Sequence, residues 1–250
     1  QGRTIDAPVH PGRNGYLWTL ERSADDISFV DAEPYVYQNA FASLDPETGR
    51  PTYDPKHKPT TGSTTSFCPS LWGGKDWPPA AYNPESGLLY IPANDNHCGV
   101  IEGREVTYMP GSAYMGARTQ MTVPEGADHI GEIQAWDMNT GEEVWTREFD
   151  SHNWGGILTT SGNLIFSGGT SDRMFRAHNA STGELLWEFK TNSGIIGVPS
   201  TFSVDGKQYV AVQAGWGVDA ASMTARLDMV RGTRTFVPQG GVIWVFALPD

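Results

Sequence analysis

Ala135-Trp136-Asp137-Met138-Asn139-Thr140-Gly141-Glu142-Glu143-Val144-Trp145 returns 42 residues later as Ala177-His178-Asn179-Ala180-Ser181-Thr182-Gly183-Glu184-Leu185-Leu186-Trp187. Both copies read Ala-x-Asp/Asn-x-x-Thr-Gly-x-x-x-Trp. A repeat of this period points to the four-stranded blade of a β-propeller and away from a helical solenoid. The acidic or amide side chain starts a turn by accepting bonds from nearby backbone amides. The glycine supplies the positive φ that ends the turn. The Trp lands on the next strand, where its ring can wedge between blades. An immunoglobulin-like or jelly-roll sandwich would leave the repeated word unexplained.

Weaker copies extend the pattern. Ser43-Leu44-Asp45-Pro46-Glu47-Thr48-Gly49 keeps the Asp and the Thr-Gly, with Tyr53 at the Trp offset. Tyr82-Asn83-Pro84-Glu85-Ser86-Gly87 makes a similar turn before Leu88-Leu89-Tyr90-Ile91, and Asn14-Gly15 is a hairpin signal before Tyr16-Leu17-Trp18-Thr19-Leu20. Between the two strong words one whole blade is expected, with strands at 156–160, 164–168, 173–178 and 185–190. No stretch carries helical periodicity over three turns.

At this period 250 residues allow about six blades at most. Insertions around 51–80, 99–130 and 217–238 reduce this to about four. Gly241-Val242-Ile243-Trp244-Val245-Phe246 reads as a final lone strand that closes a ring against an N-terminal blade. The chain opens on Gln1, not Met. Residues 1–250 are therefore expected to be the C-terminal part of one larger propeller domain, with the N-terminal half as a separate chain or a missing segment.

Composition narrows the partners. Seventeen Lys and Arg face 29 Asp and Glu, a net charge of −12. Nucleic acid and anionic membrane both require a basic footprint, so neither is expected. No apolar run is long enough to span a bilayer. Cys68 and Cys98 are the only cysteines. They suit a disulfide in an exported protein, or a reduced pair. Only His97 lies near a Cys, which argues against zinc. Dinucleotide, P-loop, Gly-x-Ser-x-Gly and His-Glu-x-x-His motifs are absent from the sequence. Asn179-Ala180-Ser181 fits a glycosylation acceptor but sits inside the turn word, where a structural role is expected.

Three further segments carry a resemblance. They are His10-Pro11-Gly12-Arg13-Asn14-Gly15-Tyr16-Leu17-Trp18-Thr19-Leu20, then Cys68-Pro69-Ser70-Leu71-Trp72-Gly73-Gly74-Lys75-Asp76-Trp77-Pro78-Pro79, then Trp154-Gly155-Gly156 ahead of the second word. With the tail Gly240 to Leu248, the chain resembles the C-terminal part of the quinoprotein alcohol dehydrogenases, which use pyrroloquinoline quinone (PQQ). The resemblance implies about half of an eight-bladed all-β propeller. It implies hydride transfer from an alcohol to PQQ, beside a calcium ion or a lanthanide. The catalytic Asp, the metal ligands and most quinone-carboxylate contacts are expected upstream of Gln1. A periplasmic location and an electron acceptor such as a cytochrome c are also implied. No Cys-x-x-Cys-His for haem occurs.

Within this half the resemblance assigns roles, each beside a plainer one. Arg13 matches a basic residue near the quinone carbonyls, where positive charge would stabilise the reduced quinone. Its plainer role is a surface arginine in a turn. Asp76 stands where the family usually has Asn beside the cofactor. An ionised Asp only accepts hydrogen bonds, so it must be protonated or turn toward Lys75, Arg13 or a metal. Otherwise it is a solvated loop residue. Trp154 and Gly155 match a segment that approaches the quinone rim, or they belong to blade packing. Trp216 resembles an aromatic wall of the substrate pocket, or it is an exposed loop aromatic. Trp145 and Trp187 are assigned to packing. The runner-up for the whole chain is a non-catalytic scaffold propeller, as in bacterial outer-membrane assembly lipoproteins.

Overall fold

The computed structural model describes residues 4–112 and 115–248; Gln1, with which the chain opens, lies outside them. In chain order the strands begin with β1 (Val9–Pro11), β2 (Tyr16–Arg22), β3 (Ile27–Pro34), β4 (Phe41–Leu44), β5 (Pro51–Tyr53) and β6 (Thr64–Phe67). They continue with β7 (Ala81–Asn83), β8 (Leu88–Asn94), β9 (Cys98–Gly103), β10 (Ala117–Thr122), β11 (Gly131–Asp137) and β12 (Glu142–Phe149). Then come β13 (Ile157–Thr160), β14 (Leu164–Ser167), β15 (Met174–Asn179), β16 (Leu185–Lys190), β17 (Ser200–Val204) and β18 (Lys207–Ala214). A helix, α1 (Val218–Arg231), precedes β19 (Val242–Ala247). The chain divides into two compact units. One is built from residues up to Asp76 plus Asp95–Ala127, the other from Trp77–Asn94 plus the chain from Asp128 onward.

In the second unit two four-stranded antiparallel sheets have the orders β12-β11-β8-β7 and β13-β14-β15-β16. The expected blade between the two words is therefore present, each strand within a residue of its expected bounds. Central strands are buried and outer strands exposed: β8 is buried along its whole length, whereas β16 is exposed at nearly every position. Leu88, Tyr90, Ile133 and Ala135 of one sheet pack on Ile157, Ile165 and Ala180 of the next. Phe166, Phe175 and Ala177 in turn pack on Ile195, Val210, Val212 and Ala214. These faces exclude water, which is the main stabilising term.

The words close their turns in one way. Gly49, Gly87, Gly141 and Gly183 all have positive φ. Each donates its N–H to the carbonyl four residues back, on Asp45, Asn83, Asp137 and Asn179. The side chains of those four residues accept amide bonds from inside the turn. Asn179 is thereby committed to its turn, as expected. A register shift also recurs at equivalent places, between Ala135 and Trp136 and between Ala177 and His178. Trp145 donates its indole N–H to Ala180 O at 3.0 Å, in the turn of the second word. Trp187 packs edge-on to Phe246 at 5.0 Å between ring centres. Both Trp residues pack, as expected.

The first unit holds β1-β2-β3, the pair β4-β5 and the sheet β10-β9-β6. That last sheet corrects the reading of 51–80 and 99–130 as insertions, because β6, β9 and β10 pair in register inside them. The final strand is also corrected: β19 is not alone but pairs antiparallel with β18 along its length, in the sheet β17-β18-β19.

The expectation of no helix fails at α1, which occupies the insertion at 217–238. It buries Ala220, Met223, Thr224 and Leu227. Their spacing of three, one and three is one helical stripe, but Ala220 is small and Thr224 polar, so the apolar period is weak. The ends carry the clearer signal. Gly232 caps the C-terminus with φ 67°, and Asp219 and Arg231 lie in the first and last turns, where the helix dipole favours their charges.

Candidate active site

Arg13 lies in the turn from β1 to β2. Gly15 takes φ 91° there, and Asn14 Oδ1 accepts from Tyr16 N and Trp18 Nε1, both at 3.2 Å. The loop Ser70 to Asp76 folds against this turn. Gly74 N donates to Arg13 O at 3.0 Å. Gly73 has φ 72°, and a Cβ there would sit 2.5 Å from Arg13 O. The Trp72-Gly73-Gly74 stretch therefore needs Gly73 for its close approach to Arg13, and Gly74 for its approach to Val36 and Tyr35.

The guanidinium donates to Leu71 O and stands 3.1 Å from Asp76 Oδ2. Arg13 and Asp76, singled out separately in the sequence, are thus partners. Of the options open to Asp76, the carboxylate takes the turn toward Arg13. Lys75 Nζ donates to Asp76 O at 2.8 Å. Burial pushes the Lys75 amine below its ordinary value, and the Asp76 charge acts in the opposite direction.

Cys68 and Cys98 form a disulfide at the root of this loop. Of the two states open in the sequence, the structure shows the bridge. Beside it His97 Nδ1 and Ser70 Oγ share a hydrogen bond of 2.8 Å, and Ser70 N donates to His97 O.

Trp154, Gly155 and Trp216 lie in the second unit. Asn153, wholly buried, fixes the loop between β12 and β13. Its N–H donates to Asn94 Oδ1 at 2.7 Å, and Asn94 Nδ2 donates back to Asn153 O at 2.9 Å. Trp154 N then donates to Gly169 O. Gly155 presses on the backbone of Gly168 and Gly169, where a Cβ would meet Gly168 C at 2.8 Å. Close packing against the turn between β14 and β15 already requires this glycine.

Trp216 is buried, not an exposed loop aromatic. Its ring lies on Gly194, where any Cβ would overlap it. It stacks on His152, ring centres 5.4 Å apart and planes 18° apart. Its indole N–H is buried without a hydrogen-bond partner among the described residues. Trp154 meets the same imidazole edge to face at 6.4 Å. His152 was not singled out in the sequence, where an isolated His before Asn-Trp carries no signal. Glu148, Asp150, His152, Asp172, Thr224 and Arg231 are among the residues lining a pocket of about 640 Å³ in this unit. Among the described residues no group of three or more His, Cys, Asp or Glu could hold a metal ion. No described helix is long and apolar enough to cross a membrane.

Comparison with known proteins decides the family. The model of the glucose/ethanol/alcohol dehydrogenase β-propeller domain matches residues 146–210. The quinoprotein alcohol dehydrogenase PedH of Pseudomonas putida is 36% identical over 99% of this chain and 41% of its own length. The chain belongs to the PQQ-dependent alcohol dehydrogenase family. A lanthanide-dependent methanol dehydrogenase of Methylacidiphilum fumariolicum is 39% identical over 87% of the chain and 36% of its own length. A solved europium-containing methanol dehydrogenase superposes with TM-score 0.85 at 35% identity, covering 99% of this chain and 46% of that one. The fold is that of the quinoprotein β-propellers. The chain spans about two fifths of the length of the curated relatives it matches.

Proposed function

We propose that this chain is the C-terminal half of a PQQ-dependent alcohol dehydrogenase that oxidises small alcohols to aldehydes in the periplasm. In this reading residues 1–250 form about four blades of one propeller domain, with β19 a member of the last sheet beside β18. When bound, PQQ accepts the hydride of the alcohol carbon. The carrying observation is the Arg13–Asp76 pair at 3.1 Å, on a loop rooted in the Cys68–Cys98 disulfide.

The Arg13 guanidinium fits an anionic, oxygen-rich group. Arg13 keeps half its side chain exposed beside its bond to Asp76. In the first unit Arg13 would bring fixed positive charge to the quinone oxygens, with Asp76 as its ion-pair partner. In the second unit Trp154 and Gly155 form part of the cofactor's surroundings, and Trp216 is a wall of the substrate pocket. The metal, calcium or a lanthanide, finds no ligand set among the described residues. Its ligands and the catalytic Asp are assigned to the N-terminal half. A cytochrome c is the proposed electron acceptor.

The test is reconstitution of the full-length protein with PQQ and either calcium or a lanthanide, then dye-linked oxidation of a series of primary alcohols. Turnover that requires both additions supports the reading. Tight PQQ binding without alcohol oxidation under either metal contradicts it.

A further inference from the structure

His152 is 1% exposed and joins three elements of the second unit. Its Nε2 lies 3.1 Å from Thr224 Oγ1 on α1. That hydroxyl gives its own proton to Ala220 O at 2.8 Å, one helical turn back. It therefore accepts from His152, and the imidazole carries its proton on Nε2 toward the helix. The bond fixes the ring plane. One face of that plane is stacked on Trp216, and Trp154 stands edge to face with the same ring. Two aromatic residues from distant parts of the sequence are thus held by one imidazole.

The contact on Gly194 limits where the Trp216 indole can go, since a Cβ there would lie 1.9 Å from a ring atom. Gly194 and His152 together leave the indole little rotational freedom. Without the imidazole the ring would gain room to turn, because a buried void is filled only partly by relaxation. The Thr224–His152 bond thereby links the orientation of Trp216 to α1.

We propose that His152 is a positioning residue for the substrate wall, oriented by Thr224 and holding the Trp216 indole. This rests on the assignment of Trp216 to the substrate pocket. The imidazole touches no reacting atom in this role. Its loss should act mainly on how the alcohol is seated.

The experiment compares His152→Ala, His152→Phe and Thr224→Val with wild type in the full-length, PQQ- and metal-loaded protein. It measures kcat and KM for a primary alcohol, PQQ content, and the near-ultraviolet circular dichroism of tryptophan. His152→Ala should raise KM about three- to tenfold with a smaller change in kcat, below the ~100-fold that an ångström of misplacement can cost. It should also alter the tryptophan dichroism at unchanged PQQ content. His152→Phe, which keeps a flat ring, should recover most of both effects. Thr224→Val should show them in weaker form, and it carries the test alone if His152→Ala does not fold. Unchanged KM and unchanged dichroism in folded variants would overturn the proposal while leaving the dehydrogenase reading intact. A parallel fall in activity and folded fraction, with KM constant, would do the same. A loaded wild-type protein that oxidises no alcohol would overturn that reading, and the inference with it.

Discussion

The indole of Trp145 lies on Gly183, so close that a Cβ on that glycine would stand 2.6 Å from the ring. One word's Trp is seated on the next word's turn. Gly49 stands in the same relation to Phe29, at 2.5 Å. The glycine therefore serves twice. It takes a positive φ, at 69° in Gly183, and it opens the floor on which an aromatic ring rests. The repeat recorded in the sequence is a docking surface as much as a turn.

Gly183→Ala should destabilise the protein by about 1–3 kcal/mol, from the left-handed backbone and the steric overlap together. Trp145→Ala should cost about 2–4 kcal/mol, below the upper range for a fully buried ring. Chemical denaturation of both single variants and the double variant checks this. Full additivity of two residues in contact would argue against the docking.

The Cys68–Cys98 bridge closes a loop with a sequence separation of 30. Its removal by paired Cys→Ser substitution should cost about 2–4 kcal/mol. Thiol labelling of the unfolded, unreduced protein should find neither cysteine. Two labelled sites would contradict the bridge.

His178 is buried beside Arg176 and Arg147. Burial first, and then those two charges, bring its imidazole down to about 4. The unfolded chain binds its proton near the ordinary value of about 6.5, so between those limits the unfolded state holds more protons. Stability should therefore fall as pH drops from about 6.5 to about 4, by up to ~3 kcal/mol from this group. His178→Gln should flatten that part of the pH–stability curve. An unchanged acid limb would show that His178 does not contribute.

Asp76→Asn should change stability by less than about 1 kcal/mol, because the pair with Arg13 is partly solvated. It should tighten retention of PQQ by freeing the guanidinium and adding an amide donor. Dialysis of loaded protein, followed by absorbance of the retained quinone, measures this. Weaker retention would show that the Asp76 charge is needed to hold Arg13 in place.

Much of this architecture was legible because its determinants are local. Asp45, Asn83, Asp137 and Asn179 each organise a turn within a few residues, so the words announce the blades. Arg13 and Asp76 could each be singled out within a short motif, but their ion pair depends on the folding of two loops. The sheet of β6, β9 and β10 escaped notice because Thr64-Thr65-Ser66 is polar and pairs with distant residues. The helix escaped because its buried stripe includes Ala220 and Thr224. His152 escaped because its role is set by Thr224 and Trp216, both remote in sequence and brought to it only by the fold.

The most direct test is kcat of Arg13→Ala in the full-length protein at full PQQ occupancy. If Arg13 stabilises charge that grows as the quinone is reduced, kcat should fall by roughly 10²–10³-fold, more than KM rises. Arg13→Lys should restore part of the rate through its remaining point charge. Near-normal kcat in Arg13→Ala with the quinone fully bound would contradict the account and leave Arg13 a residue of the turn.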